Sequence, residues 1–199
     1  MSFLEVQTQT AWGRVLAGFV QWCAPQSGWL TLDVGSGPGL LPALFAGRGC
    51  RSFGCDLDGA ALRGRLSSSL IQADACWLPF PSGTFDLVTA TNVLFLLPDA
   101  LTALQEMARL LRVEGVLACL NPSERMSVSA AAALADKRGL QGLDRQSLLD
   151  WARRAEAHHR WSEEQTVNLF AEAGFRRIEM TLKVGPGLAR WVKGVKDKD

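Results

Sequence analysis

Tyrosine is absent from this 199-residue chain, and histidine occurs only twice, as the adjacent pair His158 and His159. With so few imidazoles, a zinc site would have to rest on cysteine. The five cysteines, Cys23, Cys50, Cys55, Cys76 and Cys119, lie at no metal-ligand spacing, so no metal is expected. Their odd number argues instead for reduced thiols, the state of a cytoplasmic compartment. An excess of charge is missing as well: 21 lysines and arginines against 20 acids leave a net +1. A chain so balanced lacks the basic footprint that nucleic acid or an anionic membrane selects. No basic segment precedes an apolar signal core, and no apolar run reaches the ~20 residues that span a bilayer. These absences leave, as the expectation, a cytoplasmic protein with no nucleic-acid partner and no stable membrane insertion.

Apolar residues make up 48% and charged residues 21%, the balance of a globular protein. The length suits one domain, residues 1–199, around a single large core. Seven tryptophans should serve mostly as core or pocket wall, because each carries a large apolar area and one polar handle. Residues 6–22 place Val15, Leu16, Phe19, Val20 and Trp22 near helical spacing and read as one N-terminal helix, closed by Pro25 and Gly28. Strands and helices then alternate, with strands over 29–34, 51–55, 69–73, 85–90 and 116–120 and helices over 40–46, 60–66 and 99–112. Gly115 is expected to turn the last of these helices into its strand. Such alternation gives a parallel sheet with helices on both faces. It breaks over 121–161, where 127–138 and 143–160 read as two helices of an insert. Ser162-Glu163-Glu164-Gln165 fits a capping box that opens a last helix, and Gly174 ends it. Two strands, 177–183 and 189–195, then flank Gly185-Pro186-Gly187 as an antiparallel hairpin. The expected architecture is α/β: a doubly wound, mostly parallel sheet with a C-terminal antiparallel hairpin.

Ligands of such sheets sit outside the carboxyl ends of the strands. Asp33, Asp56, Asp74 and the pair Thr91-Asn92 all fall at those ends. The first of them opens the densest turn in the chain, Asp33-Val34-Gly35-Ser36-Gly37-Pro38-Gly39. Glycines there let the backbone turn through positive φ and approach a ligand closely. The helix that follows is expected to offer free N–H groups and a positive dipole end, so a cofactor carboxylate or phosphate is the natural tenant. A dinucleotide would require G-x-G-x-x-G/A. Here the third glycine follows the second by two positions and Leu40 comes next. The turn therefore fits D/E-x-G-x-G-x-G better, which disfavours a nicotinamide-dependent oxidoreductase.

Two further stretches join this turn. Asp74-Ala75-Cys76-Trp77-Leu78-Pro79-Phe80, continued to Phe85-Asp86-Leu87-Val88, is similar to a D-A-x-x-L-P-F-x-x-x-x-F-D-x-V pattern. Glu106-Met107-Ala108-Arg109-Leu110-Leu111-Arg112 is similar to the helix end E-x-x-R-V-L-K-P-G-G. Together the three resemble the class I S-adenosylmethionine-dependent methyltransferases, within the type 11, ubiquinone-methyltransferase-like group, from about Leu30 to Leu120. One departure is the K-P-G-G turn, here Arg112-Val113-Glu114-Gly115, at the far end of the sheet from the ligand. The resemblance implies a Rossmann-like fold, S-adenosyl-L-methionine as cofactor and a small-molecule methyl acceptor as partner. It also implies roles. Asp33, Gly35, Ser36, Gly37 and Gly39 would shape the pocket for the methionine portion, and Asp56 would accept from both ribose hydroxyls. Leu57 would pack on the adenine, Asp74 would accept from its amino group, and Ala75 would offer a backbone N–H. Thr91 would line the centre near the sulfonium, and Trp12, with its N-terminal segment, would fold over the cofactor.

Methyl transfer from a sulfonium is a direct displacement, so the protein must align acceptor and methyl carbon and exclude water. A general base is needed only where the acceptor must lose a proton. No fixed catalytic set is therefore expected. His158 and His159 are candidate bases because they lie in the insert, with a solvent-facing pair at a helix end as the alternative. Asp56 and Asp74 have the alternative of a cap or turn former. Trp151 and Trp161, which flank the histidines, would wall an apolar acceptor pocket, with helix packing as the equal alternative. The N-terminal segment 1–28 and the insert 121–161 are expected to form a lid over the acceptor, on a monomer or homodimer. A non-catalytic cofactor-binding or partner-regulating module is the main rival. Protein or RNA methylation is a lesser alternative: the near-neutral charge weighs against nucleic acid, and Thr91-Asn92-Val93-Leu94 is no N-P-P-Y-like tetrad.

Overall fold

The computed structural model describes residues 3–62, 66–67 and 69–198. Two helices, α1 (Phe3–Gln9) and α2 (Ala11–Cys23), precede β1 (Leu30–Val34), α3 (Leu40–Ala46), β2 (Arg51–Asp56) and β3 (Leu70–Gln72). Next come β4 (Phe85–Thr91), a 3-10 turn at Leu94–Leu96, α4 (Ala100–Leu110) and β5 (Leu111–Pro122). The chain closes with α5 (Val128–Lys137), α6 (Gly142–Glu156), α7 (Glu163–Glu172), β6 (Phe175–Lys183) and β7 (Ala189–Lys196). The sheet runs β3-β2-β1-β4-β5-β7-β6. β1 to β5 pair in parallel, and β7 lies antiparallel between β5 and β6. This is the doubly wound α/β sheet with a C-terminal hairpin that the sequence pattern predicts. The strand order reverses beside β1, so a crevice opens above the carboxyl ends of β1 and β4.

Apolar side chains cover both faces of the sheet. Leu104, Met107 and Phe170, from α4 and α7, fill one face, while Phe19, Leu41 and Phe45, from α2 and α3, fill the other; all six are essentially inaccessible. Each such side chain contributes ~1.5–3 kcal/mol of burial. A third cluster, around Phe95, Met126, Leu134, Ala152 and Leu188, fastens α5 and α6 beside the strand ends.

Four local features differ from the pattern reading. The single helix over 6–22 is two helices, broken at Thr10. Its hydroxyl accepts the Trp12 N–H at 3.1 Å and donates to the Val6 carbonyl at 2.6 Å, so one side chain ends α1 and caps α2. A Cβ on Gly13 would stand 2.4 Å from the Gln7 carbonyl oxygen, so glycine is what lets α1 fold back this closely. Second, β5 starts directly after α4 instead of behind a turn at Gly115. The irregularity sits at Glu114, with φ 63°, and in a register shift against β4 between Phe85 and Leu87. Third, α6 stops at Glu156, short of 160. Finally, the helix expected over 60–66 falls partly outside the described residues. Residues 59–62 form a turn in which the Asp58 carboxylate accepts the Ala60 N–H at 2.8 Å. The capping box at Ser162 is present as read, with Ser162 and Gln165 exchanging both hydrogen bonds.

Candidate functional site

A cavity of about 960 Å³ opens above the carboxyl ends of β1, β2 and β4. Gly35 and Gly37 from the first turn, Asp56 and Leu57 from the end of β2, and Asp74 with Ala75 line its strand end. Thr91 lines it from the end of β4, and Trp12 from α2. Eight of the eleven residues expected around a cofactor thus meet in one space. Asp33, Ser36 and Gly39 do not line it: Asp33 is 1% and Ser36 2% exposed, behind the turn. Gly39 packs on the Leu70 and Ser67 side chains, where a Cβ would come within 3.0 Å of Leu70.

The turn works differently from the expected anion cradle. Its glycines do take positive φ, at 74° for Gly35, 52° for Gly37 and 90° for Gly39. Its amides, however, are already engaged. Gly35 and Ser36 both donate to the Cys55 carbonyl at 2.7 and 2.9 Å, Gly37 donates to the Asp56 carboxylate at 2.9 Å, and Gly39 donates to the Ser36 carbonyl at 3.0 Å. The turn therefore supplies shape rather than a nest of donors. At Gly35 a Cβ would lie 2.0 Å from Val93 Cγ2, so β4's exit segment closes directly on the turn.

Asp33 stands beneath this floor. Its Oδ1 accepts the Thr89 hydroxyl at 2.7 Å, and its Oδ2 is buried without a partner among the described residues. Burial pushes its carboxyl up to about 7, the Thr89 hydrogen bond pulls the other way, and the neighbouring Asp56 adds to the rise. Asp56 ties the turn to β2, since Oδ2 accepts Gly37 N–H and Oδ1 accepts Asp58 N–H at 3.0 Å. Each oxygen keeps a lone pair for a further donor. Asp74, exposed, accepts the Cys76 N–H at 2.8 Å through one oxygen. Asp56 and Asp74 are therefore turn formers and cavity residues at once.

Asn92 is a wall residue that the pattern reading passed over in favour of Thr91. It adopts φ 60°, its N–H donates to the Leu120 carbonyl at 2.7 Å, and its side-chain Oδ1 is buried with no donor among the described residues. The available signal was a polar pair, rather than a single residue, at the end of a buried strand. Helices α2 and α6 meet at the other end. The Asp144 carboxylate of α6 accepts the Ala11 N–H of α2 at 2.7 Å, and the Trp12 and Trp151 rings meet at 5.1 Å. Asp144 carried no sequence signal, because its partner lies 133 positions away. Trp161 sits apart, in the core beside a water-sized void.

His158 and His159 are both exposed and line no part of the cavity. His158 Nδ1 meets the Arg154 carbonyl at 2.8 Å, and its ring stands edge-on to Phe95. They form the solvent-facing pair just past the end of α6, outside the cavity lining. All five cysteines are free, and burial raises the Cys23, Cys55 and Cys119 thiols far above the usual range. Among the described residues no three His, Cys, Asp or Glu side chains gather as a metal site, and no helix is long and apolar enough to cross a membrane.

An open α/β sheet of this order, with a glycine turn after β1 and acids closing β2 and β3, defines a Rossmann-like methyltransferase fold. A chain of the complex between the Haloferax volcanii Trm112 methyltransferase activator and a methyltransferase superposes with TM-score 0.68 at 18% identity, covering 94% of this chain and 92% of that one. The family model described as "Methyltransferase domain" matches residues 32–119. A demethylmenaquinone methyltransferase of Thermobifida fusca is 37% identical over 100 residues, 46% of this chain and 42% of that protein. One from Staphylococcus aureus is 29% identical over 143 residues, 65% of this chain and 56% of that protein. The chain spans about half the length of these curated relatives. Over residues 32–119 the chain is thus similar to methyltransferase domains, and a neighbour of the same fold, a Haemonchus contortus phosphoethanolamine N-methyltransferase 2, was solved in complex with S-adenosyl-L-methionine. The residues present fit that group: glycines without side chains beneath it, and Asp56 with lone pairs for hydroxyls.

Proposed function

We propose that this chain transfers the methyl group of S-adenosylmethionine to a small-molecule acceptor by in-line displacement. The observation that carries the reading is one continuous cavity of about 960 Å³ with a polar strand end and an aromatic, helix-roofed far end. That volume suits a cofactor and a compact acceptor together, near the upper limit of small-molecule sites. It is too small for a folded macromolecule. The bound cofactor supplies an activated methyl group. The protein's part is to orient and to keep water out. Asp56 would hold the ribose hydroxyls, Asp74 the adenine amino group with Ala75 donating its N–H, and Leu57 the adenine face. Gly35, Gly37 and Asn92 would bound the methionine portion, with Thr91 near the reacting centre. Asp33, Ser36 and Gly39 would act from beneath, by fixing the turn. Trp12 and Trp151, on segment 1–28 and insert 121–161, would close over the acceptor. The named relatives, demethylmenaquinone methyltransferases, support an apolar ring-bearing acceptor. We place the protein in the cytoplasm as a monomer or homodimer.

Titration calorimetry with S-adenosylhomocysteine tests the donor site, and formation of that product across an acceptor panel tests the reaction. Micromolar binding with turnover is expected. A folded sample that ignores millimolar cofactor would overturn the reading. The second reading is a non-catalytic, partner-regulated module, favoured by the structural neighbour solved with a methyltransferase activator. Cofactor binding without turnover on any acceptor would select it.

A further inference from the structure

The far end of the cavity carries a charge pattern that methyl transfer itself does not call for. Arg14 of α2, Arg138 just past α5, Arg154 of α6 and Lys183 at the end of β6 all line it. None of the four forms an ion pair among the described residues, whereas Arg109, Arg112, Arg145, Arg153, Arg176 and Arg190 each hold a carboxylate. The acids nearest the four cations along the lid are committed elsewhere. Asp144 accepts the Ala11 amide, and Asp150 pairs with Arg153 at 2.5 Å. The other cavity acids, Asp56, Asp58 and Asp74, belong to the strand end and accept backbone amides there. Four cations from four separate elements thus border one mouth without an ion-pair partner among the described residues, beside the Asp144 and Asp150 carboxylates of α6. The wall between these cations is apolar, formed by Leu134, Leu140 and Leu148 with Trp151. Lys183 is further held over the Trp191 ring, 5.4 Å from its centroid, and Trp191 also lines the cavity. All four are solvent-exposed where they border the cavity, so they rim its mouth. Cations rimming an apolar cavity form a field that concentrates anions at its entrance.

We propose that this end of the cavity selects an acceptor carrying an anionic group, a carboxylate or a phosphate, on an apolar body. The inference rests on the reading that this end takes the acceptor. The apolar wall receives the body, and the guanidinium groups of Arg138 and Arg154 receive the anion, two of whose oxygens can accept paired N–H donors. Placement inside a cavity, rather than across a flat face, favours a soluble small anion over a lipid surface.

The test uses the full chain and its intrinsic tryptophan fluorescence, with octanoate, octyl phosphate, octanol and octyltrimethylammonium as probes, each with and without S-adenosylhomocysteine. The two anions should bind at least tenfold tighter than octanol, the ammonium should bind weakest, and the preference should shrink in 1 M salt. The ratio of octanoate to octyl phosphate decides between carboxylate and phosphate. The double variant Arg138→Glu, Arg154→Glu should lose at least tenfold for both anions while octanol and S-adenosylhomocysteine bind as before. Octanol equal to the anions, no anion binding at all, or an unchanged double variant would overturn the proposal. So would binding to phosphatidylglycerol vesicles without any response to the soluble anions, which would make the patch a lipid-docking face. Loss of S-adenosylhomocysteine binding alone would count against the donor reading, and the probe series without it would still decide this one.

Discussion

The two ends of the cavity are made by different means. At the strand end, β1, β2 and β4 bring the turn, Asp56 and Asn92 together through backbone hydrogen bonds of the sheet and its exits. At the lid end, α2 and α6 meet through one carboxylate-to-amide bond and one pair of tryptophan rings. The first is fixed by the fold, because moving any of its residues would break the sheet. The second is fastened by a few side chains. On the proposed reading, that difference would let the strand end hold the methyl donor in one geometry while the helical end adapts to the acceptor, since a site on rigid elements holds its geometry better than one on peripheral helices.

The sharpest way to break the strand end is at Gly35. An alanine there meets two penalties: the left-handed backbone at φ 74° and a Cβ 2.0 Å from Val93 Cγ2. The backbone term is ~1–2 kcal/mol, and forcing atoms into packed space adds ~1–3 kcal/mol. Gly83 separates them, because it has φ 67° but nothing within 4 Å. Denaturant unfolding should show Gly35→Ala losing about 3–5 kcal/mol and Gly83→Ala only ~1–2 kcal/mol. Equal losses would mean that β4's exit does not press on the turn.

Asp33 tests whether this rigid end stores a cost. Its carboxyl is raised from the ordinary 3.8 to about 7, chiefly by burial. Between these values the unfolded chain releases a proton that the folded chain keeps, so folding stability falls as pH rises through the window and is lowest above about 7. Below 3.8 both states are protonated and the effect vanishes. The full span is on the order of 4 kcal/mol. Asp33→Asn should therefore be more stable than the parent at pH 8, with the difference closing toward pH 4. A difference that stays constant across the window would remove the assignment of a neutral Asp33.

The strand end was also the legible end. Asp33, Gly35, Asp56 and Asp74 announce themselves because glycine and acid at the exit of an apolar run are local signals, and the parallel order brings such exits together. The consumption of the turn's amides was not legible, since the acceptor of Gly35 and Ser36 is the Cys55 carbonyl on a neighbouring strand. The break at Thr10 was hidden because the apolar spacing runs straight through it. Only the packing of Gly13 against Gln7 shows that the chain turns back. At the lid end, no local pattern could pair Ala11 with Asp144. The histidines, singled out because they lie in the insert, are exposed residues just past α6 and outside the cavity lining.

A smaller effect separates the two duties of Asp56. Its oxygens already hold the Gly37 and Asp58 amides, so removal of the whole side chain would loosen the turn as well as the ribose contact. Asp56→Asn keeps one acceptor and the volume, and it removes the charge. S-adenosylhomocysteine affinity should fall about 10–100-fold, the worth of one charged hydrogen-bonding group, while the unfolding midpoint moves little. Unchanged affinity would take the ribose contact away from this residue.

The smallest predicted change lies at the lid and decides whether the two ends are independent. Asp144→Ala leaves the Ala11 amide at the start of α2 without its acceptor, a loss of ~1 kcal/mol by analogy with a missing helix cap. If the ends are separate, S-adenosylhomocysteine affinity should stay within about twofold, well inside the ~1.4 kcal/mol that a tenfold change would need, and KM for the acceptor should rise. Trp12 supplies the contrast, because its ring packs on Trp151 yet lines the same cavity as Asp56. Trp12→Ala should weaken both S-adenosylhomocysteine and acceptor. Should Asp144→Ala weaken S-adenosylhomocysteine as much as Trp12→Ala does, the lid would be part of the donor site, and the division between a fixed donor end and a variable acceptor end would fall.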